Sequence, residues 1–489
     1  MRHRPTAPPT RFELLARDIE QQIAGGVLRP GDRLPSVRQT CSSRGLSPST
    51  VFQAYHLLES RGLVRAVPRS GYFVAARASG ALLPEPQTLQ PQSGSQPIEI
   101  NDLIHACLGT ARTRTIVPFG SAFLSPALFP LDRLRRALIS SMRRLDPWRM
   151  AEDLPPGNLT LKREIAKRYL RHGFAVATNE IVLTHGAMEA LNLCVNAVTR
   201  PGDAVVVESP TFYVALQALQ RLGLRAIEVP THVREGIDLG RLAQVLELHR
   251  PKVCWLMTSF QNPLGSLMPE AKKRDLVALL ARHDVPLIED DVYAELYEGK
   301  VAPLPAKAFD RAGLVLHCSS FSKCLAPGYR VGWAAPGRFT HEVERLKLTT
   351  SLSGSIPVQA AIAAYLQEGG YDRHLRSLRQ SLQAQRDSLF DAVTRNFPDG
   401  TRAVRPAGGY FVWVELPTGV DAMALHRSAL AQHISLAPGP MFSARAEFQH
   451  HIRLTCGQPW TEALERAMRT LARLVDDAPR DAAALRQSI

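Results

Sequence analysis

Apolar positions near the start of the chain recur first at helical and then at strand spacing. Leu14, Leu15, Ile19 and Ile23 share one helical face, and Gly25-Gly26 ends that helix. A turn at Arg29-Pro30-Gly31-Asp32 leads into Leu34-Pro35-Ser36, where Ser36 is placed to cap a short second helix that Gly45 closes. Ser47 caps a third, with Pro48 at its first position and Val51, Ala54, Tyr55 and Leu58 along one face up to Arg61-Gly62. Leu63–Val67 and Gly71–Val74 then alternate as strands around Pro68-Arg69-Ser70, a hairpin. Three helices and a two-stranded wing make a winged helix-turn-helix. From about residue 99 to 478 helical segments alternate with β-branched runs at Glu180–Leu183, Ala204–Glu208, Val253–Met257, Val285–Asp290 and Leu314–Cys318. That order predicts an α/β domain on a mainly parallel sheet, with its ligand site at the carboxyl ends of the strands.

Composition separates these two parts. Residues 79–97 hold four prolines, four glutamines, three serines, two glycines and one charge, Glu85. Too little there is apolar to build a core, so 77–98 reads as a flexible linker spanning about 25 Å as a coil. The organisation expected is a head over 1–76, the linker, a body over 99–478 and a tail over 479–489. Charge singles out the head: residues 1–77 carry twelve arginines against five acidic residues, a net of +7 within the +14 of the whole chain. A basic segment of this kind suits a polyanion. The seven cysteines are scattered and form no C-x-x-C pair, which argues for reduced thiols and against a metal site. No apolar run is long enough to span a membrane and the N-terminus lacks a signal-peptide core, so a cytoplasmic protein with no membrane partner is expected.

The string GVLRPGDRLPSVRQTCSSRGLSPSTVFQAYHLLESRGLVRAVPRSGYFV resembles the GntR class of bacterial regulators over nearly the whole head. The resemblance implies double-stranded DNA as partner. In a helix-turn-helix the second helix enters the major groove, and here it begins near Ser47, so Ser49, Thr50 and Gln53 are candidate base readers. Arg33, Arg38 and Arg69 are candidates for phosphate, with Arg69 at the wing tip.

In the body, SSFSKCLAPGYRVGW (319–333) resembles the cofactor-lysine segment of fold-type I pyridoxal-phosphate enzymes. Lys323 would supply the imine-forming amine, while Ser320, Ser322 and Arg330 would hold the phosphate. Upstream, LTHGAMEALNL passes from strand to helix through Gly186, so the N–H groups of Gly186, Ala187 and Met188 can face the same anion. The family more often has glutamine in place of Met188. ESPTFY puts Phe212, rather than its neighbour Tyr213, at the position of the ring that stacks on the pyridine. Asn262, in Gln261-Asn262-Pro263-Leu264-Gly265, matches the amide that meets the phenolic oxygen. In IEDDVYAEL, Asp290 fits the carboxylate that pairs with the pyridine nitrogen and Tyr293 a further donor to the phenolic oxygen, with Asp291 leaving a choice of one residue. In HIRLTCG, Arg453 matches the arginine that grips a substrate carboxylate.

These matches fall in the family's order, and head, linker and body together resemble the MocR subfamily. That resemblance implies a homodimeric regulator that binds pyridoxal 5'-phosphate as a Lys323 aldimine and senses an amino acid or amine. Two alternatives stand beside it: a working aminotransferase carrying a DNA-binding head, and a DNA-binding protein whose body has lost its cofactor.

Overall fold

Leu15, Ile19 and Ile23 are buried along one face of helix α1 (Arg11–Ala24), as their spacing predicts, with Ala16 beside them, whereas Leu14, expected on that face, is exposed. Helix α2 (Val37–Arg44) is capped by Ser36, whose Oγ accepts the Gln39 N–H at 3.2 Å, and closed by Gly45 at φ 62°. Only a residue tolerant of the left-handed region fits that closing position. Helix α3 (Pro48–Ser60) starts at Ser47, whose Oγ accepts the Thr50 N–H at 3.3 Å. Tyr55, buried on α3, donates to the Pro35 carbonyl at 2.8 Å; its oxygen therefore accepts from the Thr40 hydroxyl at 2.7 Å, and this tie locks α3 to α2. Strands β1 (Val64–Val67) and β2 (Gly71–Val74) pair antiparallel as the wing. The head is a winged helix-turn-helix, with the caps that the sequence announces at Ser36, Gly45 and Ser47; the breaks and turns expected at 25–26, 29–31, 61–62 and 68–70 lie outside the described residues.

This computed structural model describes residues 10–24, 27–28, 32–60, 63–67, 71–74, 83–91, 94–95, 98, 104, 115–148 and 157–487. The chain divides into two compact units, Met1–Leu82 and Leu83–Ile489. Among the described residues no helix is long and apolar enough to cross a membrane.

The second unit opens with β3 (Val117–Pro118), which pairs with a short strand late in the chain, Ile434–Ser435. Its main sheet contains β4 (Val182–Thr184), β5 (Ala204–Ser209), β6 (Arg225–His232), β7 (Gly236–Ile237), β8 (Val253–Leu256), β9 (Leu287–Asp290), β10 (Val315–Ser320) and β11 (Gly332–Ala335). Their order is β4-β11-β10-β9-β8-β5-β6-β7. Pairing is parallel from β10 through β9, β8 and β5 to β6, and only β11 and β7 run against it. Side chains of β5 alternate between two apolar clusters: Val205 and Val207 join helix α4 (Ala187–Val198), while Val206 joins helix α5 (Glu270–Arg282). Both faces are thus covered, which explains why these strands read as unbroken apolar runs. A smaller antiparallel sheet follows, formed by Arg402–Ala403, Phe411–Glu415, His451–Thr455 and Ala437–Pro438.

Besides strands β6, β7 and β11, absent from the expected runs, and Val285, which lies before β9, three details differ from the sequence expectations. Glu180 closes a 3-10 turn rather than opening β4, because its carboxylate turns to Lys307 at 2.7 Å. Residues 83–91, expected within the flexible linker, lie along the body instead. The Pro84 carbonyl accepts from Ala403, Gln87 N–H donates to Glu415 at 2.7 Å, Glu85 pairs with Arg234, and Leu83 and Leu89 pack on the core. Two leucines and one carboxylate suffice to strap an otherwise coreless stretch. At the other end the last helix runs Glu462–Gln487, so it continues through most of the expected tail.

Candidate functional site

Apart from Arg453, on a strand of the smaller sheet, the body residues singled out in the sequence lie near the carboxyl ends of β4, β5, β8, β9 and β10, where ligands bind in sheets of this kind. Beyond β4 the chain turns at Gly186 (φ 76°) into α4, whose first N–H groups receive no side-chain cap. Arg330 crosses directly over that turn. It donates to the His185 carbonyl and to Ser322 Oγ, each at 3.2 Å, and a Cβ on Gly186 would fall 2.5 Å from its Nη2. Ser320, at the end of β10, accepts the Ser322 N–H at 3.3 Å and so shapes the turn that carries Lys323. Uncapped helix N–H groups, two hydroxyls and a guanidinium make an anion cup. Gly332 supports it from below: a Cβ there would meet the backbone of Gly186, Ala187 and Ser319 within 2.8 Å. Because backbone cannot step aside, Gly332→Ala should destabilise the body by about 3 kcal/mol, read as a lower denaturation midpoint.

Lys323 Nζ donates to the Ala122 carbonyl at 3.1 Å and lies 5.9 Å from the Tyr293 ring centre. Burial, then the Arg453 charge, lower its pKa to about 8, against the pull of Asp290. Asp290 ends β9 with 1% of its surface exposed, and its Oδ1 has no hydrogen-bond partner among the described residues. Burial and the neighbouring Asp291 raise its pKa to about 7. Asp291 faces a different set of groups: its Oδ2 meets His317 Nε2 at 3.0 Å. Trp333 Nε1 donates to the Tyr169 oxygen at 2.7 Å, so the Tyr169 hydroxyl donates to His317 Nδ1 at 2.9 Å and leaves the Nε2 proton for Asp291. Although burial opposes it, that hydrogen bond and the nearby Lys273 charge hold Asp291 below the usual carboxylate range. Each aspartate keeps an Oδ1 without a hydrogen-bond partner among the described residues, and what separates them is that Asp290 has no histidine partner.

Arg453 is 1% exposed and donates to Asn262 Oδ1 at 2.9 Å and to the Gly120 carbonyl at 2.6 Å. Its guanidinium lies over Phe411 and Phe442, and its Nε is unpaired among the described residues. With Asn262 Oδ1 engaged, the Asn262 Nδ2 donor is left open in a fully buried position. Tyr293 is buried edge-on to Tyr410 and Phe411, and burial followed by Asp290 raises its hydroxyl above the ordinary tyrosine range. Phe212 is half-buried, whereas Tyr213 is buried and edge-on to Phe442. Met188 is half-buried on α4 against the core. The sequence reading missed Tyr410, whose hydroxyl donates to Ala122 at 2.8 Å, the Gly120 and Ala122 carbonyls, and the His317 relay.

In the head, Arg33 and Arg38 are exposed, and Arg33 bridges Phe73 on the wing. Ser49 and Gln53 are exposed on α3 and Thr50 is half-buried; the Ser49 and Thr50 hydroxyls lie 2.9 and 2.8 Å from Ser47 Oγ, so both belong to the cap. Arg69 lies outside the described residues.

The family model for class I and II aminotransferases matches residues 137–471. The chain belongs to that family. Its head matches the model for bacterial regulatory proteins of the gntR family over residues 13–74, giving the fusion typical of MocR-type regulators. The regulator is 46% identical to the uncharacterized HTH-type transcriptional regulator YdcR of Escherichia coli K12, over 96% of this chain and 99% of that protein. It is 36% identical to YjiR of the same organism, described in the same words, over 95% and 99%. Among solved structures it resembles Pyrococcus horikoshii kynurenine aminotransferase in complex with PMP, kynurenine and kynurenic acid, with a TM-score of 0.70, 28% identity, and 77% of this chain and 94% of that one covered. The protein is therefore a DNA-binding, HTH-type transcriptional regulator with an aminotransferase-like body, of a family that typically binds pyridoxal phosphate.

Proposed function

We propose that this MocR-type regulator binds pyridoxal 5'-phosphate in its body and senses an amino acid or amine at Lys323. The observation that carries the proposal is a pair of open, buried polar atoms: an acceptor at Asp290 Oδ1 and a donor at Asn262 Nδ2. Such atoms are costly unless a ligand completes them. A pyridine ring bearing N–H on one side and a phenolic oxygen on the other completes both, with its phosphate in the cup of Gly186, Ala187, Met188, Ser320, Ser322 and Arg330. When bound, the cofactor supplies an aldehyde carbon reactive toward amines and a ring that withdraws electrons.

The chain's residues divide the remaining work. Lys323 would hold the cofactor's aldehyde carbon, the position for which an effector's amine would compete. Asp290 keeps the ring nitrogen protonated, Phe212 covers the ring face, and Tyr293 and Asn262 serve the phenolic oxygen. Arg453 exchanges the Gly120 carbonyl for the effector's carboxylate. Effector binding at Lys323 would change the body's favoured geometry, and a homodimer carrying two heads would read that change on a repeated or palindromic operator.

The test is to titrate cofactor-loaded protein with single amino acids and amines, following both cofactor absorbance and operator affinity. One compound that moves both is the expected result; compounds that move the spectrum alone would remove the sensing role. A second reading, a working aminotransferase, is favoured by the complete set of Lys323, Asp290, Tyr293 and Arg453. Multiple turnovers with a keto-acid acceptor would establish it.

On the DNA side, Arg38→Ala should weaken binding to duplexes of every sequence and lower the slope of log affinity against log salt by about 1. An unchanged slope takes Arg38 off the phosphate backbone.

A further inference from the structure

The outward face of α3 carries a large apolar side chain among polar ones. Phe52 is 52% exposed and lies outside the apolar cluster to which Val51, Ala54, Tyr55 and Leu58 belong. Ser49 precedes it by three residues, Gln53 adjoins it and His56 follows by four, all exposed, so the four share one helical face. Phe52 sits little more than one turn from the start of α3 at Pro48. In a helix-turn-helix that part of the second helix reaches base edges.

A lone exposed phenylalanine is common on protein surfaces. Here its setting limits what it meets: a head of net charge +7 and gntR-family type, flanking side chains suited to base edges, and a groove whose one apolar feature is the thymine 5-methyl group. We propose that Phe52 is a specificity-determining residue, packing its ring against thymine methyl groups in the operator's major groove. This rests on α3 being the helix that enters the groove. Ser49 and Gln53 would supply hydrogen bonds there, and Phe52 would select pyrimidine positions that polar side chains leave unread.

The experiment uses the full-length protein and a duplex that it recovers from a randomised pool. Single thymines are replaced by deoxyuridine, which removes the methyl group alone. Wild-type protein should lose about fourfold in affinity at one or more positions, the scale of one buried methyl group. Phe52→Ala should bind the thymine duplex several-fold more weakly, show no further loss with deoxyuridine at those positions and keep its salt slope, while Phe52→Leu should restore most of the affinity. Equal deoxyuridine losses in wild type and Phe52→Ala would overturn the proposal. So would a Phe52→Ala variant that alters oligomeric state yet binds within twofold of wild type. If Ser49→Ala and Gln53→Ala weaken binding and Phe52→Ala does not, the Phe52 role alone falls; if all three are silent, the placement of α3 falls with it.

Discussion

Lys323→Ala should yield a protein with no borohydride-reducible cofactor and with DNA affinity indifferent to amines. The phosphate cup is untouched by the substitution, so non-covalent binding of pyridoxal phosphate persists, weaker by about 100-fold, or about 2.7 kcal/mol. The lysine environment adds a dependence on pH. Condensation needs the free amine, and a pKa lowered to about 8 by burial and then by Arg453 leaves about a tenth of it free at pH 7 and most of it free at pH 9. Covalent uptake by the wild type should therefore accelerate about tenfold over that interval, whereas Lys323→Ala shows no such acceleration. Lys323→Arg separates charge from chemistry, because it keeps a cation beside Asp290 and cannot form the linkage. A reducible absorbance band surviving in Lys323→Ala would place the linkage elsewhere and remove the basis of the sensing proposal.

The helix caps of the head were legible because their punctuation is local. Ser36, Gly45 and Ser47 act on neighbours within a few positions, and the structure puts each where the caps require. The main parallel sheet was legible for a different reason: strands buried on both faces carry runs that polar connections interrupt. What escaped depends on partners distant in sequence. Arg453 is 333 residues from the Gly120 carbonyl that it holds, and Tyr410 is 288 from Ala122. Nothing in a local spacing marks a backbone carbonyl as a ligand. The two adjacent aspartates show the same limit, since sequence left their roles open by one residue. What sets them apart is His317, on another strand, which accepts an orienting proton from Tyr169 and gives its own to Asp291. The strap over 83–91 escaped because composition averages out the two leucines and one glutamate that hold it down.

Asp290→Asn should stabilise the cofactor-free body at neutral pH while impairing its use of pyridoxal phosphate. A carboxyl raised from 3.8 to about 7 in the folded state stays protonated while the unfolded chain ionises. Its folded pKa lies above its unfolded one, so stability is greatest below pH 4 and falls as pH rises toward 7, by about 4 kcal/mol at most for this group. Glu208, raised to about 8, and Glu228, raised to about 7, both chiefly by burial, push the same way in both proteins. Asparagine at 290 removes one of the three contributions, so the variant's melting temperature should exceed that of the cofactor-free wild type at pH 7.5 and converge with it at pH 4. Cofactor should reverse the ranking. A protonated pyridine nitrogen gives the wild-type carboxylate a buried cationic partner, and breaking such a pair from one side is strongly destabilising. Loading should therefore raise the wild-type melting temperature at pH 7.5 by several degrees more than that of Asp290→Asn. Equal gains in the two proteins would mean that the ring nitrogen draws nothing from Asp290, and the open carboxylate oxygen at the end of β9 would need another ligand.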